Sequence, residues 1–196
     1  MRASLLVGLL LMAACASSGT QAGDVGNPGA GDVDANMRHA DLNGGQAFLG
    51  SLGLSADAQS RVPVTWHPMK TIPERTWQYL PIAYSRLGLT ITRYDTSSHI
   101  IEGERLRSRA AFGGKELAAM MNCGDVAGTP NITRFDIDIQ VRSGVKGFGN
   151  SSSVASVVTA TAKPGGVSGD QMPCNVSSLA GDRVAAAVAE ALAETQ

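Results

Sequence analysis

The chain has 196 residues, enough for one domain of ordinary size with additional segments. It carries 16 Lys and Arg residues against 17 Asp and Glu residues, a net charge of −1, and its basic residues form no long run. This balance argues against nucleic acid as a partner and against electrostatic adhesion to a membrane. Only 5% of the residues are aromatic, so the sequence predicts a modest core.

The first 14 residues have the pattern of an export signal. Arg2 provides a positive charge, Leu5 to Met12 form a short apolar run, and Ala13 and Ala14 are small residues at a cleavage position. About ten apolar residues are too few to cross a hydrocarbon core of roughly 30 Å as a helix. We therefore predict a signal peptide over residues 1–14.

The stretch Met12-Ala13-Ala14-Cys15 resembles the lipobox of bacterial lipoproteins, although Leu is more usual at its first position. The resemblance implies that Cys15 is acylated, becomes the mature N-terminus and attaches the chain to a membrane. Ala16 follows, where Asp would signal retention in the inner membrane, so the resemblance implies the periplasmic face of the outer membrane. The alternative is an ordinary secretory signal with a chance cysteine.

Two cysteines, Cys123 and Cys174, remain once Cys15 is assigned to lipid. An even number in an oxidising compartment indicates a disulfide, which would close a loop of about 50 residues. Two buried free thiols and part of a metal site are the alternatives. Metal ligands need close spacing, whereas the histidines are scattered, at His39, His67 and His99. We expect a structural disulfide, no metal and no cofactor.

Residues 15–45 are rich in Gly, Ala and Ser and have little to bury, which predicts a flexible tether. Residues 46–196 are then a single domain. Within residues 46–61, apolar residues have helix-like spacing, at Phe48, Leu49, Leu52 and Leu54. This segment is interpreted either as a short helix on the domain edge or as one that folds onto a partner.

The first half of the domain alternates between strand and helix patterns. Residues 62–66 predict an edge strand. A helix is predicted from Thr71, with a capping box to Glu74, an interruption at Pro81 and an end at Gly88. Residues 89–94 and 99–107 predict a hairpin with a bulge at Gly103, and a short helix is predicted around residues 117–121.

The second half predicts strands over residues 134–142 and 154–163, separated by a flexible Gly/Ser-rich loop at residues 144–153. A final helix is predicted from Ser177 or Ser178, with Leu179, Val184, Val188 and Leu192 on one side. These elements predict an α+β fold: an antiparallel sheet of about five strands with two long helices packed on one face, in a helix-grip-like arrangement.

No reacting centre is evident in the sequence, and we predict that the protein is not an enzyme. Ser151 to Ser153 lack the tight turn that presents a serine nucleophile. Asp136 and Asp138 are two residues apart on one strand face, about 7 Å by strand geometry, a separation that a hydrolase could use. The simpler interpretation is cross-strand ion pairs on a wet face shared with Arg134 and Arg142.

Three aromatic residues, Trp66, Trp77 and Tyr84, are candidates for contacts with a ligand or a partner. The alternative is that they form the core of a small domain. The basic, Gly-flanked stretch from Arg142 to Gly149 is a second candidate for a partner-binding loop.

A run through the predicted helix and hairpin resembles the helix-to-hairpin core of NlpB-type lipoproteins, in the residues Trp77, Leu80, Tyr84, Leu87, Gly88, Leu89, Ile91, Asp95, Ile100 and Ile101. Members of that family are accessory subunits of the machinery that assembles β-barrels in the outer membrane. The resemblance covers about 30 residues and implies a fold type and a general role. The single domain after the tether and the disulfide depart from the family.

Three functions follow from these observations. The first is a lipid-anchored, non-enzymatic domain that binds envelope proteins or supports an envelope assembly. The second is a module for a small apolar or glycan ligand, which predicts an apolar pocket bordered by Trp66, Trp77 or Tyr84. The third is a hydrolase that uses Asp136 and Asp138, which predicts that both carboxylates lie in a cleft.

Overall fold

The structure, a computed structural model, describes residues 48–51, 62, 64–108, 110–163 and 171–195. The predicted signal peptide and tether lie outside these residues. The fold is α+β. Its main sheet contains β1 (Trp66–Met69), β2 (Thr90–Asp95), β3 (Ile100–Ser108), β4 (Asp136–Phe148), β5 (Ser151–Lys163) and β6 (Met172–Pro173), and its two long helices are α1 (Pro73–Arg86) and α2 (Ser178–Ala193).

The strands of the main sheet lie in the order β1-β5-β4-β3-β2, with β6 also paired to β5, and all of these pairs are antiparallel. The two helices contact each other, and both contact β5. The main core lies between the helices and the sheet, and its fully buried members include Leu80, Tyr84, Ile137, Ile139, Val141, Val154, Val184 and Val188.

The N-cap of helix α1 is one residue later than the predicted N-cap, Thr71, and the helix continues through Pro81. The predicted capping box is wrong, because the N-cap is Ile72 and it makes no side-chain hydrogen bond. Pro81 does not end the helix, since buried residues before and after it pack into the core and offset the lost hydrogen bond. The predicted end is confirmed: Gly88 has a φ of 71°, which glycine adopts at little cost. The amide of Leu89 donates to the carbonyl of Tyr84 at 2.9 Å.

Residues 144–153, predicted to be a flexible loop, are mostly strand. Strands β4 and β5 have 13 residues each and are joined at a tight turn by Gly149 and Asn150. The small residues permit close packing here, because a methyl group on Gly144 would overlap the Phe48 ring. Ser152 and Ser153 are buried. The proposed partner-binding loop is therefore mainly part of a hairpin.

Other predicted boundaries also shift. The first strand begins at Trp66, and Arg134 belongs to a helical turn, Asn131–Arg134, that precedes β4. The short helix is only Leu117–Met120, and Leu179 is 52% exposed instead of facing the core with the rest of α2. The remaining elements are two-residue strands at Ala111–Phe112, Lys115–Glu116, Met121–Asn122, Asp125–Val126, Thr129–Pro130 and Asn175–Val176.

A second, smaller cluster of buried residues covers the face of the sheet opposite the helices. Residues 48–51 are helical, and Phe48 and Leu49 pack there against Ile100, Ala155 and Val157. This packing agrees with the interpretation of a short helix on the domain. Leu52 and Leu54, which completed the predicted helical spacing, lie outside the described residues.

Cys123 and Cys174 are joined by a disulfide, consistent with the predicted pairing. Short strands on either side of the bridge pair with each other, and the amide of Cys174 donates to the carbonyl of Ala160 on β5 at 2.9 Å. The side-chain amide of Asn131 donates to the carbonyl of Cys123 at 3.0 Å. The bridge thus fastens the irregular segment between β3 and β4 to the strand that leads into α2.

Replacing both cysteines, Cys123→Ser with Cys174→Ser, should lower the free energy of unfolding by about 4 kcal/mol, because the bridge closes a loop of 51 residues in the unfolded chain. Urea unfolding of the oxidised protein and of the variant measures the difference. Wild-type protein unfolded under reducing conditions is the control and should match the variant. Equal stabilities of the oxidised protein and the variant would contradict a stabilising role for the bridge.

Candidate interaction site

Strand β2 forms one edge of the main sheet, and among the described strands it pairs only with β3. Its first five residues are exposed. Two of them are large and apolar: Ile91 is 40% exposed and Tyr94 is 45% exposed. We call these two side chains and the outer backbone edge of β2 the β2 edge surface.

A bulge in β2 places both apolar side chains on one face of the sheet. Ile91 lies opposite Gly103 and Arg93 lies opposite Glu102, so Thr92 is an extra residue without a counterpart on β3. Tyr94 lies opposite Ile101, which is in the core beneath the helices. Because opposed residues share a face, Ile91 and Tyr94 both lie on the helix-covered face.

The sequence predicted this bulge at Gly103, and the extra residue is instead on the partner strand. Gly103 has a different role, since a methyl group there would come within 2.8 Å of the Tyr84 ring. The glycine lets the ring of Tyr84 lie directly against β3. The predicted strand, β3, has its own irregularity further along, where its pairing with β4 shifts register between Arg105 and Ser108.

Tyr94 is held in place by Trp77 of α1. Their rings are stacked with centroids 4.6 Å apart and an angle of 19° between the planes. The ring of His99 meets Trp77 edge-on at 5.4 Å. Trp77 itself is only 6% exposed, so it supports the exposed Tyr94 ring from below. An exposed aromatic ring on a rigid base is a common feature of protein-binding surfaces.

The turn after β2 is fixed by Asp95. Its carboxylate accepts hydrogen bonds from the amide of Ser97 at 3.0 Å, the hydroxyl of Ser97 at 2.7 Å and the amide of Ser98 at 3.2 Å. The bonds from Ser97, and then those from Ser98, hold the pKa of Asp95 well below its ordinary value of 3.8. This turn sets the register of the hairpin that carries Tyr94.

Charged side chains on β2, β3 and β4 form a network beside the β2 edge surface. Arg93 lies 3.1 Å from a carboxylate oxygen of Asp95 and 3.3 Å from one of Glu102. Arg142 lies 3.4 Å from the other oxygen of Glu102. The charges of both signs are interleaved, so this side of the sheet is not dominated by one sign.

Tyr84, a predicted contact residue, has no exposed surface through which it could touch a ligand. Its hydroxyl lies 2.9 Å from Ser143 Oγ and 3.2 Å from the carbonyl of Ile101, and Ser143 Oγ lies 2.7 Å from Ser156 Oγ. Burial raises the pKa of Tyr84 far above its ordinary value of 10.0. For Tyr84 and Trp77, the alternative of a core role agrees with the structure.

Trp66 lies on the opposite face of the sheet from Trp77 and Tyr84. Its ring meets Phe48 at 5.2 Å, and Lys146 Nζ lies 4.5 Å from its ring centre. The three aromatic candidates therefore do not lie around one common cleft. Trp66 is half-buried and retains a surface that a partner could contact.

Three cavities of about 440, 340 and 230 Å³ are formed by described residues. The two larger ones adjoin each other at Ala118 and Ile132, in the segment fastened by the disulfide. The smallest lies between the end of β1 and the end of α2. The ligand-binding hypothesis required a pocket bordered by Trp66, Trp77 or Tyr84. None of these three residues lines any of the three cavities.

The two aspartates proposed for hydrolysis do not form a matched pair on a wet face. Asp138 is only 9% exposed, is in contact with the amine of Lys163 and accepts a hydrogen bond from the amide of Arg107 at 3.2 Å. Asp136 lies opposite Lys163 in the β4–β5 pairing. The Asp138–Lys163 contact is a cross-strand ion pair, in agreement with the simpler interpretation, but Asp138 is buried and its face is not the wet one that was predicted.

Within the described ranges, no group of three or more His, Cys, Asp or Glu side chains is placed to hold a metal ion. In the same part of the chain, no helix has the length and apolar character needed to span a membrane.

No protein-family model matches the chain, and no curated protein matches its sequence.

Ile91 and Tyr94 are not among the contact residues that the sequence predicted. Both lay in a segment recognised as a strand, and Ile91 was part of the resemblance to NlpB-type lipoproteins. Their exposure depends on β2 being the outermost strand, and strand order could not be read from the sequence. The slip in alternation in the sequence lies at Gly103 on β3, so it did not mark the bulge in β2.

Tyr84→Phe should lower the free energy of unfolding by about 1–2 kcal/mol, because a buried hydroxyl bonded to Ser143 is lost. The matched control is Tyr94→Phe, which should change the stability by less than about 0.5 kcal/mol because Tyr94 is exposed. Urea unfolding measures both. Similar losses in the two variants would contradict the specific role of the buried hydroxyl.

Asp95→Asn should destabilise the protein at neutral pH and do so less as the pH falls. A lowered pKa means that the carboxylate stabilises the fold above pH 3.8, the ordinary value, and that this contribution is lost as the pH falls below it. The difference between the urea midpoints of wild type and variant at pH 6 and pH 3 measures the effect. A difference independent of pH would contradict it.

Proposed function

We propose that the protein is a lipid-anchored, non-enzymatic domain of the bacterial cell envelope that binds protein through the β2 edge surface. In this proposal residues 1–14 are removed, Cys15 is acylated at the periplasmic face of the outer membrane, and residues 15–45 tether the domain. The lipobox resemblance supports the anchor, and the composition of residues 15–45 supports the tether.

The observation that carries the binding proposal is the pair Ile91 and Tyr94 on an outermost strand. A sheet edge presents backbone N–H and C=O groups that another strand can pair with, and exposed apolar side chains on that edge add buried area. Trp77 fixes the ring of Tyr94, so little side-chain entropy is lost when a partner covers it.

The arrangement of the domain fits the same role. Its two long helices beside one antiparallel sheet support a helix-grip-like fold. The residues that resemble NlpB-type lipoproteins lie on α1, on the connection from α1 to β2 and on the β2–β3 hairpin, at or next to the β2 edge surface. We therefore extend the family resemblance to a general role in binding or supporting an envelope assembly.

Site-specific photocrosslinking in intact envelopes tests the binding proposal. A photoreactive phenylalanine derivative at position 91 should give a reproducible covalent adduct with a protein. The matched control is position 82 on α1, because Ile82 is 43% exposed and Ile91 is 40% exposed. Adducts of equal yield and equal variety from both positions would contradict a binding role for the β2 edge surface.

The lipid anchor has its own test. Mass analysis of the mature N-terminus should find a diacyl or triacyl group on Cys15, and Cys15→Ser should release the chain from the outer-membrane fraction. An unmodified Cys15 would overturn the anchor and leave the photocrosslinking result to stand by itself.

A further inference from the structure

We infer that the partner at the β2 edge surface is a second copy of this chain, whose β2 pairs antiparallel with the first about a two-fold axis. The inference rests on the proposed function, since it names the protein that the surface binds. The pairing joins two six-strand sheets edge to edge, with β2 of each copy at the centre.

When a second copy of β2 runs antiparallel to the first, residues on each face of one strand can lie opposite residues on the same face of the other. Ile91 and Tyr94 lie on the helix-covered face, as their partners Gly103 and Ile101 show. Thr90 and Asp95 lie on the opposite face, because their partners, Glu104 and Ile100, alternate with those residues along β3. An antiparallel copy can therefore set Ile91 against Tyr94, and Thr90 against Asp95, with each opposed pair on a common face.

The bulge is what makes this register possible. Directly opposed residues share a face, so a two-fold pair of regular strands can oppose only residues an even number of positions apart. Ile91 and Tyr94 are three positions apart. Because Thr92 is an extra residue, Ile91 and Tyr94 lie on the same face although they are an odd number of positions apart. The two-fold axis then passes between Thr92 and Arg93, with one Ile91–Tyr94 pair on each side of it.

Bulges often protect a sheet edge from pairing. The side chains on the β2 edge nevertheless favour pairing with β2 of a second copy. In the proposed register Arg93 lies opposite Thr92, so no like charges are directly opposed. Shifting the register by one residue in one direction would set Arg93 against Arg93 of the other copy, which is unfavourable. A shift in the other direction would set Ile91 against Arg93 and break both apolar pairs. Asp95 and Glu102 already accompany Arg93 within each copy, so the edges do not repel through an excess of one sign.

The two apolar pairs also account for the exposure of these side chains in a single copy. Ile91 and Tyr94 of both copies would form a four-residue strip on the helix side of the joined sheet. Each Tyr94 stays stacked on its own Trp77, so the strip forms on two rigid bases. Aromatic and β-branched residues are favourable cross-strand partners.

Disulfide trapping tests the register in intact envelopes with full-length chains. Two differently tagged copies, one with Ile91→Cys and one with Tyr94→Cys, are produced together and oxidised. We expect the two variants together to give a disulfide-linked dimer in a yield at least tenfold higher than either variant gives when it is produced alone. Ile82→Cys combined with Tyr94→Cys is the control for exposure and for random collision. Equal yields in all combinations would overturn the inference.

A charge-complementation experiment does not depend on thiol chemistry. Ile91→Lys and Tyr94→Glu should each reduce self-association in envelopes, because each disturbs both apolar pairs of its own dimer. Produced together, they should associate again, since one pair becomes Lys with Glu and the other remains Ile with Tyr. Thermal unfolding midpoints close to wild type establish that the variants are folded. Failure of the mixture to recover would count against this register.

The failure of the inference and the failure of the proposed function give different results. No trapped dimer, together with photocrosslinking from position 91 to a different protein, would remove the second copy and leave the proposed function in place. No trapped dimer and no position-specific adduct would overturn both. A mixed dimer and a self-adduct from position 91 would support both.

Discussion

The arrangement of the domain depends on the burial of Tyr84. Its ring lies against Gly103 on β3, and its hydroxyl reaches Ser143 on β4, which in turn contacts Ser156 on β5. A buried hydroxyl is costly unless it is bonded, so these contacts fix the height and rotation of α1 over three strands. These contacts also place Trp77, two helical turns earlier, beneath Tyr94. The geometry of the β2 edge surface therefore depends on the packing of the core.

The two edges of the main sheet differ in the features that restrict pairing with another strand. On one side, Pro68 lacks a backbone donor, and His67 Nε2 lies 3.2 Å from a carboxylate oxygen of Asp182 on α2, so a proline and a helix contact restrict that edge. Strand β2 has no proline, and its apolar side chains are partly exposed. Its bulge, instead of only disturbing the edge, aligns two of those side chains. This asymmetry is the reason to assign binding to β2.

The sequence predicted the features that depend on neighbouring residues. The end of α1 at Gly88, the β2–β3 hairpin and the core-facing side of β4 each rest on local chemistry, and all three agree with the structure. Residues 144–153 were misread, because Gly and Ser occur both in flexible loops and where strands pack closely against bulky side chains such as Phe48. The cation beside Asp138 comes from the other strand of the hairpin whose end was misread as a loop. The exposure of Tyr94 depends on strand order, which local patterns do not encode.

A short strand edge with two apolar pairs is a weak contact between molecules free in solution, because association must first overcome the loss of translational and rotational freedom. Anchoring at a membrane changes this balance. Two tethered copies on one surface meet at a high effective concentration, so a contact that adds little area can still be occupied. The proposed acyl group on Cys15 and the β2 edge surface would then act together. The lipid would localise the domain and also supply the confinement that makes a modest, self-complementary edge sufficient for pairing.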